Sequence, residues 1–185
     1  MKISLISDLH LAFGITTLNN TDNCELLILA GDVCEIKDFE LYEEWFRDVC
    51  SKWNYVIYIM GNHEYYMSSI QDVRQRTKEI DISNLRILEN DRILLGGHRF
   101  ICATLWTDMD KGNPYSEMVI KKGMNDYRYI KYFDHKLTPF DTKMMHHDSL
   151  KFIKEQVSKP FFGKTVVVTH HSPSFQSIHE KYKTS

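Results

Sequence analysis

The amino-acid sequence predicts an α/β fold in which two facing mixed β-sheets are flanked by helices, in four α/β/β/α layers. Short apolar runs at residues 3–6, 25–30 and 55–60 each end in a polar cluster. A helix-like segment lies between the second and third runs, and three closely spaced apolar runs follow residue 85. Short runs that are apolar on both faces are typical of buried parallel strands.

Length and composition indicate a single domain over residues 1–185. A chain of this size can bury one core but is short for two. The chain has 43% hydrophobic and 26% charged residues, which are ordinary values for a globular protein. Its 23 basic and 25 acidic residues give a net charge of −2. Overall charge therefore gives no sign of a nucleic-acid partner, although a local basic groove would be compatible with it.

Cysteine usage and hydropathy indicate the compartment. The four cysteines are widely spread and form no C-x-x-C pair, which favours reduced thiols. The N-terminal run is interrupted by Asp8 and His10 and does not resemble a signal peptide. Because no stretch approaches the length needed to span a bilayer, we expect a cytoplasmic protein without a membrane partner.

The first apolar run ends in Ser7-Asp8-Leu9-His10. Residues two apart in a strand point to the same face, so Asp8 and His10 should emerge side by side. A carboxylate and an imidazole in this arrangement form half of a divalent-metal site.

The next two runs repeat this plan. Gly31-Asp32 follows the run 25–30, and Gly61-Asn62-His63-Glu64 follows the run 55–60. Between them, Asp38 is predicted to cap a helix whose apolar residues recur every three or four positions. Such a βαβ series gathers ligand sites at the carboxyl ends of its strands.

From residue 85 the pattern changes to the runs 85–88, 92–95 and 99–103, with Gly96-Gly97 as a tight turn. This favours a hairpin in a second sheet rather than another crossover. Residues 107–138 have weak periodicity and are interpreted as a long surface excursion. Long segments of this kind are often functional.

Thr138 and Pro139 are predicted to begin a helix, as its N-cap and first residue. His147 lies on its predicted apolar stripe and is expected to be a core histidine rather than a ligand. The other residues of the stripe are Phe140, Met144, Leu150, Ile153 and Val157. His170 and His171 directly follow the final predicted strand, residues 165–169.

Together these blocks resemble the motifs of the calcineurin-like metallophosphoesterases. The family's blocks are D-x-H, G-D, G-N-H-D/E, a single histidine after a later strand, and finally G-H-x-H. The chain supplies, in this order, Asp8-Leu9-His10, Gly31-Asp32, Gly61-Asn62-His63-Glu64 and His170. Segments 103–108 and 124–128 also resemble a bacterial or phage branch of the family.

The resemblance implies two metal ions bridged by Asp32, since one carboxylate has two oxygens. Asp8 and His10 would complete this chain's share of the first ion, and Asn62 and His170 its share of the second. His171 remains a weaker alternative to His170.

The resemblance also implies a chemistry. His63 would be a catalytic residue that contacts the substrate phosphate and protonates the leaving group. Nitrogen and oxygen donors favour Mn, Fe, Zn, Ni or Co over Ca as the cofactor. The expected reaction is hydrolysis of a phosphomonoester or phosphodiester substrate by a metal-bridging hydroxide that attacks phosphorus.

One departure from the family pattern keeps alternatives open. No G-H-x-H follows His170, so the resemblance implies a domain that is incomplete at its C-terminus. The first alternative is therefore a catalytically impaired binding module, and the second is a nuclease. A homo-oligomer could supply a missing ligand from a neighbouring copy.

Several polar residues near these blocks are weaker candidates. Glu35, Glu64 and Asp108 are expected to support the site or face solvent rather than bind metal. Asn125 and Arg128 either line the pocket or belong to a solvated loop.

Overall fold

The structure, a computed structural model, describes residues 1–182. The strands are β1 (Ile3–Ile6), β2 (Leu26–Ala30), β3 (Tyr55–Ile59), β4 (Leu85–Leu88), β5 (Asp91–Leu95), β6 (His98–Ala103), β7 (Lys131–Tyr132), β8 (His135–Lys136) and β9 (Thr165–Thr169). The α-helices are α1 (Glu43–Ser51), α2 (Ile70–Arg76), α3 (Met109–Gly112), α4 (Pro114–Gly123), α5 (Asp126–Tyr129) and α6 (Pro139–Ser158).

The first sheet contains β1, β2, β3 and β4 side by side, all parallel. Where these strands begin, Leu26 of β2 lies between Ile3 of β1 and Tyr55 of β3. Because all four strands run in the same direction, their carboxyl ends meet at one edge. The predicted strands that carry the polar clusters are thus neighbours.

The second sheet is mixed and faces the first. β5 and β6 are antiparallel, and β9 pairs with β6 in parallel. Gly96 and Gly97 join β5 to β6 with φ of 53° and 75°. Positive φ at both central residues is the requirement of a type I′ hairpin turn, so the predicted hairpin is confirmed.

The core has two parts because β2 is buried on both faces. Leu27 and Leu29 pack with α1 and α2 on one side of the first sheet. Leu26 and Ile28 point the other way and pack with Phe100 of the second sheet. This alternation follows from the two-residue period of a strand. The predicted α/β fold with two facing sheets and flanking helices is confirmed. Of the two sheets, only the second is mixed as predicted, because the four described strands of the first are all parallel.

Two predictions about element assignment were wrong. β4 was grouped with the hairpin, but it pairs in parallel with β3 and completes the first sheet. Asp38 does not cap a helix; it lies within a 3₁₀ segment, Ile36–Leu41, and α1 begins only at Glu43. The apolar period continues through both segments, which hides the break between them.

Helix α6 has the predicted start but not the predicted face. Thr138 and Asp141 form a reciprocal capping box, with Pro139 in the first turn. The predicted apolar stripe is largely solvent-facing, since Phe140, Met144 and Val157 are exposed. His147 is also exposed and is not a core histidine. The buried positions are instead mostly small or polar: Pro139, Asp141, Thr142, Met145, Ser149 and Gln156.

The excursion between β6 and α6 is structured rather than irregular. It contains α3, α4, α5 and the β7–β8 hairpin. Its residues Asp126 and Tyr127 are buried, so this segment packs against the domain instead of lying only on the surface. Over residues 1–182, no helix is long and apolar enough to cross a membrane.

Candidate metal centre

The polar clusters at the ends of β1, β2, β3 and β9 meet at one site. Backbone hydrogen bonds join the first two: the Asp8 amide donates to the Gly31 carbonyl at 3.0 Å, and the His10 amide to the Asp32 carbonyl at 2.9 Å. These bonds extend the pairing of β1 and β2 beyond the strands themselves. They hold two carboxylates and an imidazole at the same edge.

The carboxylate of Asp32 lies at the centre of this site, and the residue is almost fully buried. Its Oδ1 accepts a hydrogen bond from the His63 amide at 2.9 Å and lies 3.4 Å from His170 Nε2. Its Oδ2 lies 3.8 Å from His10 Nε2 and 3.9 Å from His63 Nε2. The two oxygens thus face different imidazoles.

Two groups of metal-binding side chains share Asp32. His10, Asp32 and His63 form one, and Asp8, Asp32 and His170 form the other. Within each group the potential ligand atoms lie within 4.8 Å of one another. Both groups contain Asp32, the residue that the resemblance implies as the bridge. His63 stands among the potential ligands of one group, and Asp8 groups with His170 rather than with His10.

His170, rather than His171, joins the site. His170 Nδ1 donates to the Ala30 carbonyl at 2.8 Å, which leaves the Nε2 lone pair facing Asp32 when the ring is neutral. A carbonyl partner on the remote nitrogen is the usual support of a metal-binding histidine. The ring of His171 lies against Trp106, 5.6 Å between centroids, and its Nδ1 donates to Thr104.

Asn62 is buried next to the site, and its amide is held from the other side. Its Nδ2 donates to Oδ1 of Asp126 at 2.9 Å. Because a carboxylate only accepts hydrogen bonds, this contact fixes which way the amide faces and leaves Asn62 Oδ1 free as a ligand atom. Asp126 is only 2% exposed and also accepts from the Tyr66 hydroxyl at 2.8 Å.

A sequence model of the calcineurin-like phosphoesterase family matches residues 1–184. The chain belongs to this family. Membership supports a phosphoesterase function and implies divalent metal ions, in agreement with the His and Asp groups around Asp32. The resemblance inferred from the motif blocks is thereby confirmed.

Two individual proteins are similar over most of the chain. An uncharacterized protein, L509, of Acanthamoeba polyphaga mimivirus is 28% identical over 193 residues, covering 92% of this chain and 67% of its own length. The crystal structure of a phosphopantetheinyl hydrolase from Mycobacterium tuberculosis superposes with a TM-score of 0.71 at 16% identity. That match covers 99% of this chain and 73% of the hydrolase chain, and it supports the fold.

In this member of the family, Glu64 holds the loops after β2 and β3 together. Its carboxylate is fully buried and accepts four hydrogen bonds, from the amides of Asp32, Val33 and Gly61 and from the Tyr58 hydroxyl, at 2.6–3.0 Å. It therefore supports the loops rather than joining either group of potential ligands.

Charge and burial act on three of these groups. Burial and the neighbouring Asp32 charge raise the pKa of Glu64 to about 7, although its hydrogen bonds lower it. Burial would raise the pKa of Asp32, but the hydrogen bond and charge of His170 lower it overall. Burial lowers the pKa of His170, yet Asp32 outweighs this and raises it to about 9.

Two glycines allow the strand ends to approach one another. A Cβ on Gly31, whose φ is +89°, would lie 2.5 Å from His170 Nδ1. A Cβ on Gly61 would lie 2.2 Å from Asp32 Oδ1. The motif glycines are therefore required by close packing around the carboxylate and the imidazole.

The backbone at the site is strained. Asp8, His10 and Asp32 have φ of 58°, 45° and 56°, in the left-handed region that non-glycine residues seldom adopt. Such conformations persist where the surroundings hold them, and they cluster at functional sites.

Of the two alternatives left open for Asn125 and Arg128, the structure favours the solvated loop. Arg128 bonds to the Asn125 side chain and the Lys122 carbonyl on the surface, as expected of a solvated loop. The residue that reaches the site is Asp126. The one available signal was its place in the segment 124–128 that resembles the family, since an isolated aspartate carries no spacing pattern.

Proposed function

We propose that the chain is a metal-dependent phosphoesterase that hydrolyses phosphomonoesters or phosphodiesters. One observation carries the proposal: the two oxygens of the buried Asp32 carboxylate face different imidazoles. This is the arrangement that a carboxylate bridging two cations requires. The other proposed ligands are Asp8, His10, Asn62 and His170.

The donor set fits divalent metal ions. It combines carboxylate and amide oxygens with imidazole nitrogens, which suits Mn, Fe, Zn, Ni or Co. The hydrogen bonds that His170 and Asn62 donate to the Ala30 carbonyl and the Asp126 carboxylate support them as oriented ligands. When bound, two such ions would neutralise charge on the phosphoryl oxygens and lower the pKa of a water molecule.

His63 is the proposed proton donor to the leaving group. Its ring is stacked on Tyr66, with centroids 4.1 Å apart, and meets His10 edge-on at 4.4 Å. These face and edge contacts hold the imidazole beside Asp32, partly open to solvent. A positioned imidazole of this kind can deliver a proton to the departing oxygen as the ester bond breaks.

The test is Mn²⁺-dependent hydrolysis of aryl phosphate monoesters and diesters by the 185-residue chain. Asp32→Asn and His63→Ala are the test variants, and His171→Ala is the matched control because its ring lies against Trp106. We expect turnover that requires metal, is lost in Asp32→Asn and survives in His171→Ala. Absence of turnover, in a chain shown to be folded and to bind Mn²⁺, would contradict the proposal and favour a binding module.

A further inference from the structure

A continuous row of aromatic rings passes through the candidate metal centre. Consecutive centroids are 6.0 Å apart from Phe13 to His10, 4.4 Å from His10 to His63, 4.1 Å from His63 to Tyr66 and 5.7 Å from Tyr66 to Tyr129. His10 and His63 belong to the site itself. The other three rings extend the row on both sides of it.

The Tyr66 end of the row is held firmly. The Tyr66 hydroxyl donates to the buried Asp126 carboxylate, and burial together with Asp126 raises its pKa, which keeps the hydroxyl protonated. The Tyr129 carbonyl accepts a hydrogen bond from the Met67 amide at 2.9 Å, and the Tyr129 ring meets the ring of Tyr66 edge-on at 5.7 Å. A surface fixed in this way can bind a flat group with little loss of side-chain freedom.

The same end is exposed and apolar. Tyr129 is 43% exposed, and the neighbouring Met67 is 66% exposed. Apolar side chains left open beside a catalytic site are suited to binding an apolar part of a ligand. Because aromatic faces attract other flat rings, a planar group is the best-matched occupant.

The row also has a direction. His63 is the proposed proton donor, so the leaving group must lie next to it. His10, a member of the same group of potential ligands, meets the His63 ring edge-on, whereas Tyr66, followed by Tyr129, stacks on its face. We propose that the substrate's leaving group carries an aromatic ring system, such as a nucleobase, that packs on Tyr129 beside Tyr66. This inference rests on the proposed phosphoesterase function.

Adenosine 5′-monophosphate and ribose 5-phosphate provide the test, because they release the same type of ribose 5′-hydroxyl and differ in the base. Their kcat/KM values are compared by phosphate release. For a diesterase, their methyl diesters are measured in parallel by release of adenosine or ribose together with methyl phosphate. Stacking of one base should favour the adenosine ester by roughly 5- to 150-fold. Calorimetric binding of both compounds gives a second readout that does not require turnover.

Variants locate the effect. Tyr129→Ala should reduce the preference for the adenosine ester about tenfold, and Tyr129→Phe should retain it, because the phenyl ring still stacks. Phe13→Ala is the matched control: this ring is 87% exposed but lies beyond His10, outside the proposed contact. Thermal unfolding of each variant checks that the fold is retained.

The outcomes separate this inference from the function on which it rests. Equal kcat/KM and equal affinity for the two esters in the wild type would overturn it, as would a preference that falls with Phe13→Ala and not with Tyr129→Ala. Failure of the phosphoesterase proposal has a different signature, namely no metal-dependent hydrolysis of any ester, aryl phosphates included.

Discussion

Replacing Asp126 by alanine should weaken metal binding without touching any proposed ligand. The carboxylate accepts a hydrogen bond from the Nδ2 atom of buried Asn62 at 2.9 Å. Without the carboxylate, the Asn62 amide can turn its nitrogen toward the metal. Loss of an outer partner of a ligand typically costs 10- to 100-fold in metal affinity. This equals about 1.4–2.7 kcal/mol, in line with about 1.5–3 kcal/mol for one hydrogen bond to a charged group.

The assay is calorimetric titration of the metal-free protein with Mn²⁺, with thermal unfolding as the stability control. Asp126→Asn keeps an accepting oxygen and should lose less affinity than Asp126→Ala. Tyr66→Phe removes the other hydrogen bond on the same oxygen and should change affinity less than threefold. If Asp126→Ala binds Mn²⁺ as tightly as the wild type while Asn62→Ala does not, the orienting role is refuted.

Three further predictions concern the same edge of the sheet. Glu64→Gln places an amide donor against buried donors and removes two hydrogen bonds, each contributing about 1.5–3 kcal/mol. The free energy of unfolding, measured in urea, should therefore fall by about 3–6 kcal/mol, and a loss below about 1 kcal/mol would contradict this. Gly61→Ala should shift Asp32 and destabilise the fold by about 1–3 kcal/mol, whereas Gly123→Ala, with no atom within 4 Å of the added Cβ, should not. The pKa of His170 is raised to about 9. The contribution of this histidine to the stability of the metal-free protein is therefore complete below about pH 6.5 and is lost as the pH rises through about 9. The melting temperature should fall across this pH window in the wild type and fall less in His170→Gln.

The sequence predicted those parts of the site that depend on local pattern. A short apolar run followed by a polar cluster is visible without any knowledge of the partner strand, so the positions of Asp8, Asp32, Asn62 and His170 at strand ends could be predicted. The parallel order of β1, β2 and β3 then brings these ends together. Their roles as metal ligands remain predictions for the experiments above.

The elements that were predicted wrongly depend on contacts distant in sequence. β4 lies only two residues from β5, yet it pairs with β3, where Leu85 and Leu88 extend the two cores on opposite faces of the first sheet. On α6, the apolar period suggested a buried stripe, but the helix buries small and polar side chains such as Thr142 and Ser149. Propensity and periodicity are weak evidence where tertiary packing decides the outcome.

The residues that hold the proposed ligands were the hardest to predict, for a physical reason. A metal ligand must be one of a few residue types at a strand end, so ligands form a recognisable sequence motif. The residue that supports a ligand needs only to place a hydrogen-bond donor or acceptor at the right point in space, and it forms no such motif. Asp126 is 64 residues from Asn62, and the carbonyl of Ala30 is 140 residues from His170. The precision of the centre therefore depends on the excursion and on the β2 backbone as much as on the motif blocks. A variant such as Asp126→Ala should accordingly lose metal affinity although every motif residue is intact.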